Sequence, residues 1–178
     1  MISAVLNNLG LVHKDLGDLD AAEPRLRDAL EIKRELFGAS HWRVATGLVN
    51  LASTLLAMER PAEAERLAEE ALAVSRRELG EEHELVAIAL GHLAGARVQQ
   101  GDTAVAERHL RRSLDVLETT MPDDHPRTAE IRLRLGRLLL AGGRTDEAGP
   151  LLHRALEVFE ARGDSAAAAD ARALLNGC

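Results

Sequence analysis

The chain has 178 residues, 46% of them hydrophobic and 29% charged, a mixture that folds in water rather than staying disordered. Its formal charge of −7 disfavours nucleic acid and anionic membrane surfaces as partners. Trp42, Phe37 and Phe159 are its only aromatics, so the core has to be Leu/Ala/Val packing, and the single cysteine, Cys178, excludes an intrachain disulfide or a thiolate metal site.

The first predicted helix starts at Met1 and carries Ile2, Val5, Leu6, Leu9, Val12 and Leu16, joined by Leu11. That is a wide apolar surface for a helix with only one neighbouring side. This edge is expected to pack against more protein, either a preceding unit or a second copy of the chain. A turn at Gly17-Asp18 leads into a second helix through Ala22, Ala29 and Leu30. Leu48, Leu51, Ala52 and Leu55 then recur at three- and four-residue steps, the spacing of one helical face. After Glu59-Arg60-Pro61, with Pro61 suited to a first helical turn, the next helix runs through Ala64, Leu67, Ala68, Ala71, Leu72 and Val74 to a stop at Gly80. Two more helix pairs turn at Gly101-Asp102-Thr103 and Gly142-Gly143-Arg144-Thr145, and Asp102/Thr103 and Thr145/Asp146 are the expected N-caps. Past Gly163, Asp164-Ser165 caps a last, alanine-rich helix through Leu174-Leu175. No segment alternates in the manner of a strand, so the fold class is all-α.

The plan repeats. Leu6-Asn7-Asn8-Leu9-Gly10 aligns with Leu48-Val49-Asn50-Leu51-Ala52, Leu90-Gly91-His92-Leu93-Ala94 and Arg132-Leu133-Arg134-Leu135-Gly136, each step being 42 residues. The same step carries Ala22 to Ala64, Ala106 and Ala148, and His41 to His83 and His125. Gly10, Ala52, Ala94 and Gly136 are small where the two helices of a hairpin meet, which lets their axes approach to roughly 8–10 Å. One hairpin cannot bury both faces, so the units must stack. The expected architecture is one α-solenoid domain over residues 1–178, with units near 1–40, 41–82, 83–124 and 125–163 and a capping helix at 164–176.

Leu6-x2-Leu9-Gly10-x2-His13 followed by Ala22-x3-Leu26 resembles the tetratricopeptide repeat family. The 42-residue period and the phrases His41-Trp42-Arg43-Val44-Ala45, His83-Glu84-Leu85-Val86-Ala87 and His125-Pro126-Arg127-Thr128-Ala129 look like its longer, kinesin-light-chain-like branch. The resemblance covers nearly the whole chain and implies a right-handed superhelix of antiparallel hairpins. Departures are Arg132 at an apolar position, His13 and Arg97 in place of an aromatic, and Ala68 as a shortened anchor.

Residues at i, i+4, i+7 and i+11 of each first helix share a stripe, which in that family lines the concave face. The peptide-binding candidates on or beside it are Asn8, Thr46, Asn50, Ser53, His92, Gln99, Arg127, Arg134 and Arg137. Asn8, Asn50, His92 and Arg134 form its central ladder, and an Asn amide both donates to and accepts from an extended backbone. Arg127, Arg134 and Arg137 make a basic spot whose guanidinium forks suit carboxylates, unless neighbours such as Glu130 neutralise it internally.

Other chemistry has little support. Histidines one unit apart are too far from each other to share an ion with ligand bonds of about 2 Å, so His41, His83 and His125 belong to the inter-unit turns. His109 and Ser113 lie one turn apart with no third orienting group. Gly91-x3-Gly95 either opens space in the groove or lets helices pack closely, and close packing is the preferred reading. The expected function is a cofactor-free, non-catalytic scaffold that binds a protein or peptide in its groove. The alternative is a structural segment that works through its apolar N-terminal edge, including as a homodimer. Without a charged-then-apolar leader or a run of membrane-spanning length, a cytoplasmic location is the expectation.

Overall fold

The computed structural model describes residues 1–177, and every regular element among them is an α-helix. The first hairpin is α1 (Ile2–Asp15) with α2 (Leu19–Phe37), and the second is α3 (Trp42–Ala57) with α4 (Pro61–Leu79). The third is α5 (Glu84–Gln99) with α6 (Thr103–Thr120), the fourth α7 (Pro126–Ala141) with α8 (Thr145–Arg162), and α9 (Ser165–Asn176) follows. Each helix packs on its successor, so the hairpins stack in chain order and α9 lies on α8. No helix among the described residues is long and apolar enough to cross a membrane.

Small residues set the packing inside each hairpin. A Cβ added at Gly10 would lie 2.7 Å from Leu26 Cγ, and one at Gly136 would lie 2.7 Å from Leu152 Cγ. The second hairpin divides the volume differently, with Ala52 and Ala68 both fully buried in one apolar cluster. The short Ala68 is thus matched by a facing residue that is larger than glycine. Arg132, the other departure, is also buried, and its guanidinium reaches the Glu118 carboxylate and both the backbone carbonyl and the carboxylate of Asp123. It ties the loop between α6 and α7 to the core, a job that a leucine at that position could not do.

The helix ends follow from local chemistry. Gly17, Gly101 and Gly143 adopt positive φ in three of the hairpin turns, while Glu59 takes φ 56° in the fourth. Asp18, Asp102 and Asp164 accept from Ala21, Val105 and Ala167 as N-caps. The expectation for Thr145/Asp146 is corrected, because Arg144 occupies the cap position without a side-chain cap bond and both residues already lie in the first turn of α8. Arg60 holds the matching place ahead of Pro61.

The in-register histidines turn out to be caps as well. Nδ1 of His41, His83 and His125 accepts from the backbone N–H of Arg43, Leu85 and Arg127 at 3.1, 3.0 and 3.3 Å. Each imidazole therefore opens the first helix of a hairpin. His83→Ala is expected to cost about 1 kcal/mol in a urea titration, and His83→Asn to recover most of it. Equal stability of all three chains would remove the capping role.

Successive first helices approach one another at α1–α3, α3–α5 and α7–α9, whereas the second helices of neighbouring units stand farther apart. First helices therefore line the inner face and second helices the outer one. Long side chains bridge the outer gaps. Glu23, Arg27, Arg60 and Glu63 form a square of ion pairs between the first two hairpins. Two periods on, Glu107, Arg111, Arg144 and Glu147 form the same square between the last two. Hydrogen bonds from Arg144 and Arg111 hold the Glu147 carboxyl down to about 2. These exposed pairs are worth little singly, and more as a shared network.

Candidate protein-binding groove

The inner face carries the stripe read from the sequence, but much of the stripe is spent on holding units together. Asn50 Nδ2 donates to Asn7 Oδ1 at 3.0 Å, so Asn50 of α3 is tied back to α1. Gln99 Nε2 donates to the Leu56 carbonyl at 2.9 Å, joining α5 to α3. Thr46 Oγ1 donates to the Trp42 carbonyl within its own helix. Asn8 is exposed on α1 and Ser53 is half-buried on α3.

At the fourth unit the expected basic spot is neutralised from within. Arg127 pairs with Glu84 at 2.6 Å, and Arg137 pairs with Asp170 of α9. Arg134 Nη2 donates to the Gly91 carbonyl at 2.6 Å, with Glu130 farther off at 3.9 Å. The first helices α5 and α7 do not approach as closely as their neighbours do, and the Arg134 side chain spans that gap. Glycines make room for it: a Cβ at Gly95 would come within 3.0 Å of Arg134 Nη2. Gly91-x3-Gly95 is therefore a packing pair, for an arginine rather than a helix. Burial lowers the Arg134 pKa from its ordinary value, opposed by Glu130 and assisted by Arg137. His92 beside it is pushed down to about 3, mainly by burial and further by the charges of Arg134, Lys14 and Arg127.

The open cationic site lies at the other end of the groove. Ser3, Asn7 and Asn8 of α1, Lys33 and Phe37 of α2, and Trp42, Arg43 and Thr46 of α3 line a recess of about 340 Å³. Lys33 Nζ donates to Asn7 Oδ1 at 3.2 Å, and burial lowers the lysine pKa. The Arg43 guanidinium sits 4.9 Å from the centre of the Phe37 ring and 5.0 Å from that of Trp42. His41 stacks on Phe37 at 5.0 Å and completes the cluster. Among the described residues no carboxylate forms an ion pair with Lys33 or Arg43. A second recess of about 410 Å³ opens between units three and four, where Val98 and Leu138 lie beside Arg134 and Arg137.

The sequence reading brought out the groove stripe and missed Lys33, Arg43, Asn7, Phe37 and Trp42. Register holds a signal for Lys33, since its counterparts Ser75, Leu117 and Phe159 are all buried. A lysine at a core register marks an opening in the core. Ser113, weighed as a nucleophile, is buried and donates to the Ala87 carbonyl at 2.8 Å.

Comparison with known proteins agrees with the helical-repeat fold. A tetratricopeptide repeat family profile matches residues 1–73 and 43–119, and a second tetratricopeptide repeat profile matches 93–166. The chain belongs to the tetratricopeptide repeat family. Repeats of this kind generally mediate protein–protein interaction. Among solved structures, this tetratricopeptide repeat chain is similar to BtubC (BKLC) from P. vanneervenii, with 23% identity and a TM-score of 0.75, covering 90% of this chain and 64% of that one. It thus spans under two thirds of that protein's length. It is also similar to a putative kinesin light chain with nearly identical TPR-like repeats from Podosopora anserina, with 19% identity and a TM-score of 0.74, covering 98% of this chain and 93% of that one. A single-substitution variant of the Podosopora anserina protein gives 21% identity and a TM-score of 0.76 over 97% of this chain and 82% of that one. At these identities the likeness is one of fold. No curated protein sequence matches the chain.

Proposed function

We propose that the chain is a non-catalytic scaffold whose inner groove binds an extended segment of a partner protein. The anchor is the recess between α1, α2 and α3, which takes a carboxylate side chain next to an apolar one. One observation carries this reading. In a chain of net charge −7, Lys33 and Arg43 face one recess with no carboxylate partner among the described residues, beside the accessible rings of Phe37 and Trp42. A ligand carboxylate would supply the missing countercharge, and the ring faces would cover an apolar neighbour. Asn8, Thr46, Asn50 and Ser53 continue the polar track along the groove, past His92 and Gln99, to Arg127, Arg134 and Arg137. An acidic groove ligand fits the cationic recess, and the overall acidity supports a protein partner over nucleic acid or an anionic membrane.

Trp42 is the sole tryptophan, so its fluorescence reports directly on the recess. A panel of extended peptides that place Asp or Glu beside an apolar residue is titrated against the chain. Lys33→Met/Arg43→Gln is expected to weaken the best peptide by at least about tenfold, a loss of roughly 1.4 kcal/mol. An unchanged affinity overturns the anchor. A loss seen instead with Arg134→Gln/Arg137→Gln moves the carboxylate site to the fourth unit. The exposed edge of α1 supports a second mode of action, self-association.

A further inference from the structure

The outer edge of α1 is a hairpin-packing face with no hairpin on it. Ile2, Val5, Leu9, Val12 and Leu16 are 69, 60, 40, 53 and 76% exposed. One period on, Val44, Gly47, Leu51 and Thr54 of α3 are buried, in a helix that packs against α2 of the preceding unit. The matching Val86, Ala89, Leu93 and Ala96 of α5 are buried too. On α2, half-buried Ile32 matches the buried Val74, Val116 and Val158.

Two residues on this edge do not fit a missing repeat unit. Leu36 is an exposed leucine where units that do have a predecessor carry Glu78, Thr120 and Arg162, all exposed. Leu16 matches Met58, which is only half-buried, and Gln100 and Gly142, both exposed. A preceding hairpin of the same kind would leave Leu36 in water and Leu16 at best half covered. Neither residue is accounted for by a preceding hairpin.

We propose that this face pairs with the same face of a second copy, antiparallel and two-fold, with Leu9 near the axis. The stripe reads alike from either end, since Val5 and Val12 flank Leu9 and Ile2 and Leu16 lie beyond them. Reversal therefore sets Val5 against Val12 and Ile2 against Leu16 of the other copy. Because α1 and α2 run antiparallel, Leu36 lies at the Ile2 end of the face, where it covers the second copy's Leu16. The charges also suit reversal. Arg25 bonds only the Ala21 carbonyl of its own helix, at 2.6 Å, and neither it nor Asp28 has an ion pair among the described residues. In an antiparallel pair of α2 helices each Arg25 faces the Asp28 of the other copy. A head-to-tail chain is disfavoured because α9 already covers the α8 face that a further α1 would use. Two-fold closure is the arrangement that remains, and one patch then serves both copies.

Sedimentation velocity on the 178-residue chain, with reductant so that Cys178 forms no cross-link, tests this pairing. A dimer is expected in the micromolar range. Leu9→Asp buries two carboxylates at the axis and should raise the dissociation constant on the order of a hundredfold, with helical circular dichroism unchanged. Arg25→Asp should weaken the dimer about tenfold and Arg25→Asp/Asp28→Arg restore it. A monomer at every concentration, growth beyond the dimer, or a dimer indifferent to both Leu9→Asp and Arg25→Asp overturns the proposal. Peptide binding in the Lys33/Arg43 recess survives Leu9→Asp, so the two proposals fail separately.

Discussion

Gly136→Leu is expected to destabilise the chain by about 3 kcal/mol or more, because the hairpin of α7 and α8 has no volume left at that contact. A Cβ alone would already sit 2.7 Å from Cγ and from Cδ2 of Leu152, a side chain with no exposed surface to retreat into. Overpacking a filled core costs about 1–3 kcal/mol and sometimes more, and the helix-propensity gain on leaving glycine returns only about 0.8. The second hairpin shows the remedy, since its equivalent contact is Ala52 with Ala68. Leu152→Ala alone should cost about 2–5 kcal/mol through the cavity it leaves. Combined with Gly136→Leu it should cost clearly less than the two separate losses added together. Urea titration of the four chains measures this, and a Gly136→Leu protein as stable as the parent would refute the packing argument. The same reasoning holds for Gly10 against Leu26.

Acid should unfold the chain partly through His92, and His92→Asn should remove that part. The imidazole is held near 3 against its ordinary 6.5, mainly by burial and then by Arg134, Lys14 and Arg127. The folded state therefore keeps it neutral while the unfolded chain takes up a proton, so unfolding binds a proton between those two values. The stabilisation is complete above about pH 6.5 and is lost as the pH falls towards 3. At pH 4 the loss reaches up to about 3 kcal/mol for a shift of this size. Asparagine is what the first two units carry at this register, as Asn8 and Asn50, so the substitution suits the groove. Carboxylates such as Glu147 are common to both chains and cancel in the comparison. The stability gap between parent and His92→Asn should shift in the variant's favour from pH 7 to pH 4. Parallel pH profiles would show that His92 is protonated as readily folded as unfolded.

The outcome at the groove shows where reading along a chain stops. The 42-residue step placed Asn8, Asn50, His92 and Arg134 on one stripe, because a helix turns by a constant angle and position along it dictates direction. The step could not say which of these side chains face water. Arg127 and Arg134 meet Glu84 and a backbone carbonyl of the preceding unit, and Arg137 meets Asp170 of α9. Lys33 and Arg43 sit ten residues apart on different helices and share a recess only because α2 and α3 pack together. The histidine caps lay between these cases. Their register was plain in the sequence, but the bond from Nδ1 to an N–H two residues on needed coordinates.

By itself the sequence determined the helices, their order and their stacking. Apolar spacing, small contact residues and glycine stops are local or strictly periodic features, and packing had only to agree with them. Tertiary structure alone decided which charges are spent on neighbours and which remain for a partner. Ion pairing depends on distances of a few ångströms between side chains of neighbouring units, and the 42-residue period supplies register, as in the two matching squares, without those distances.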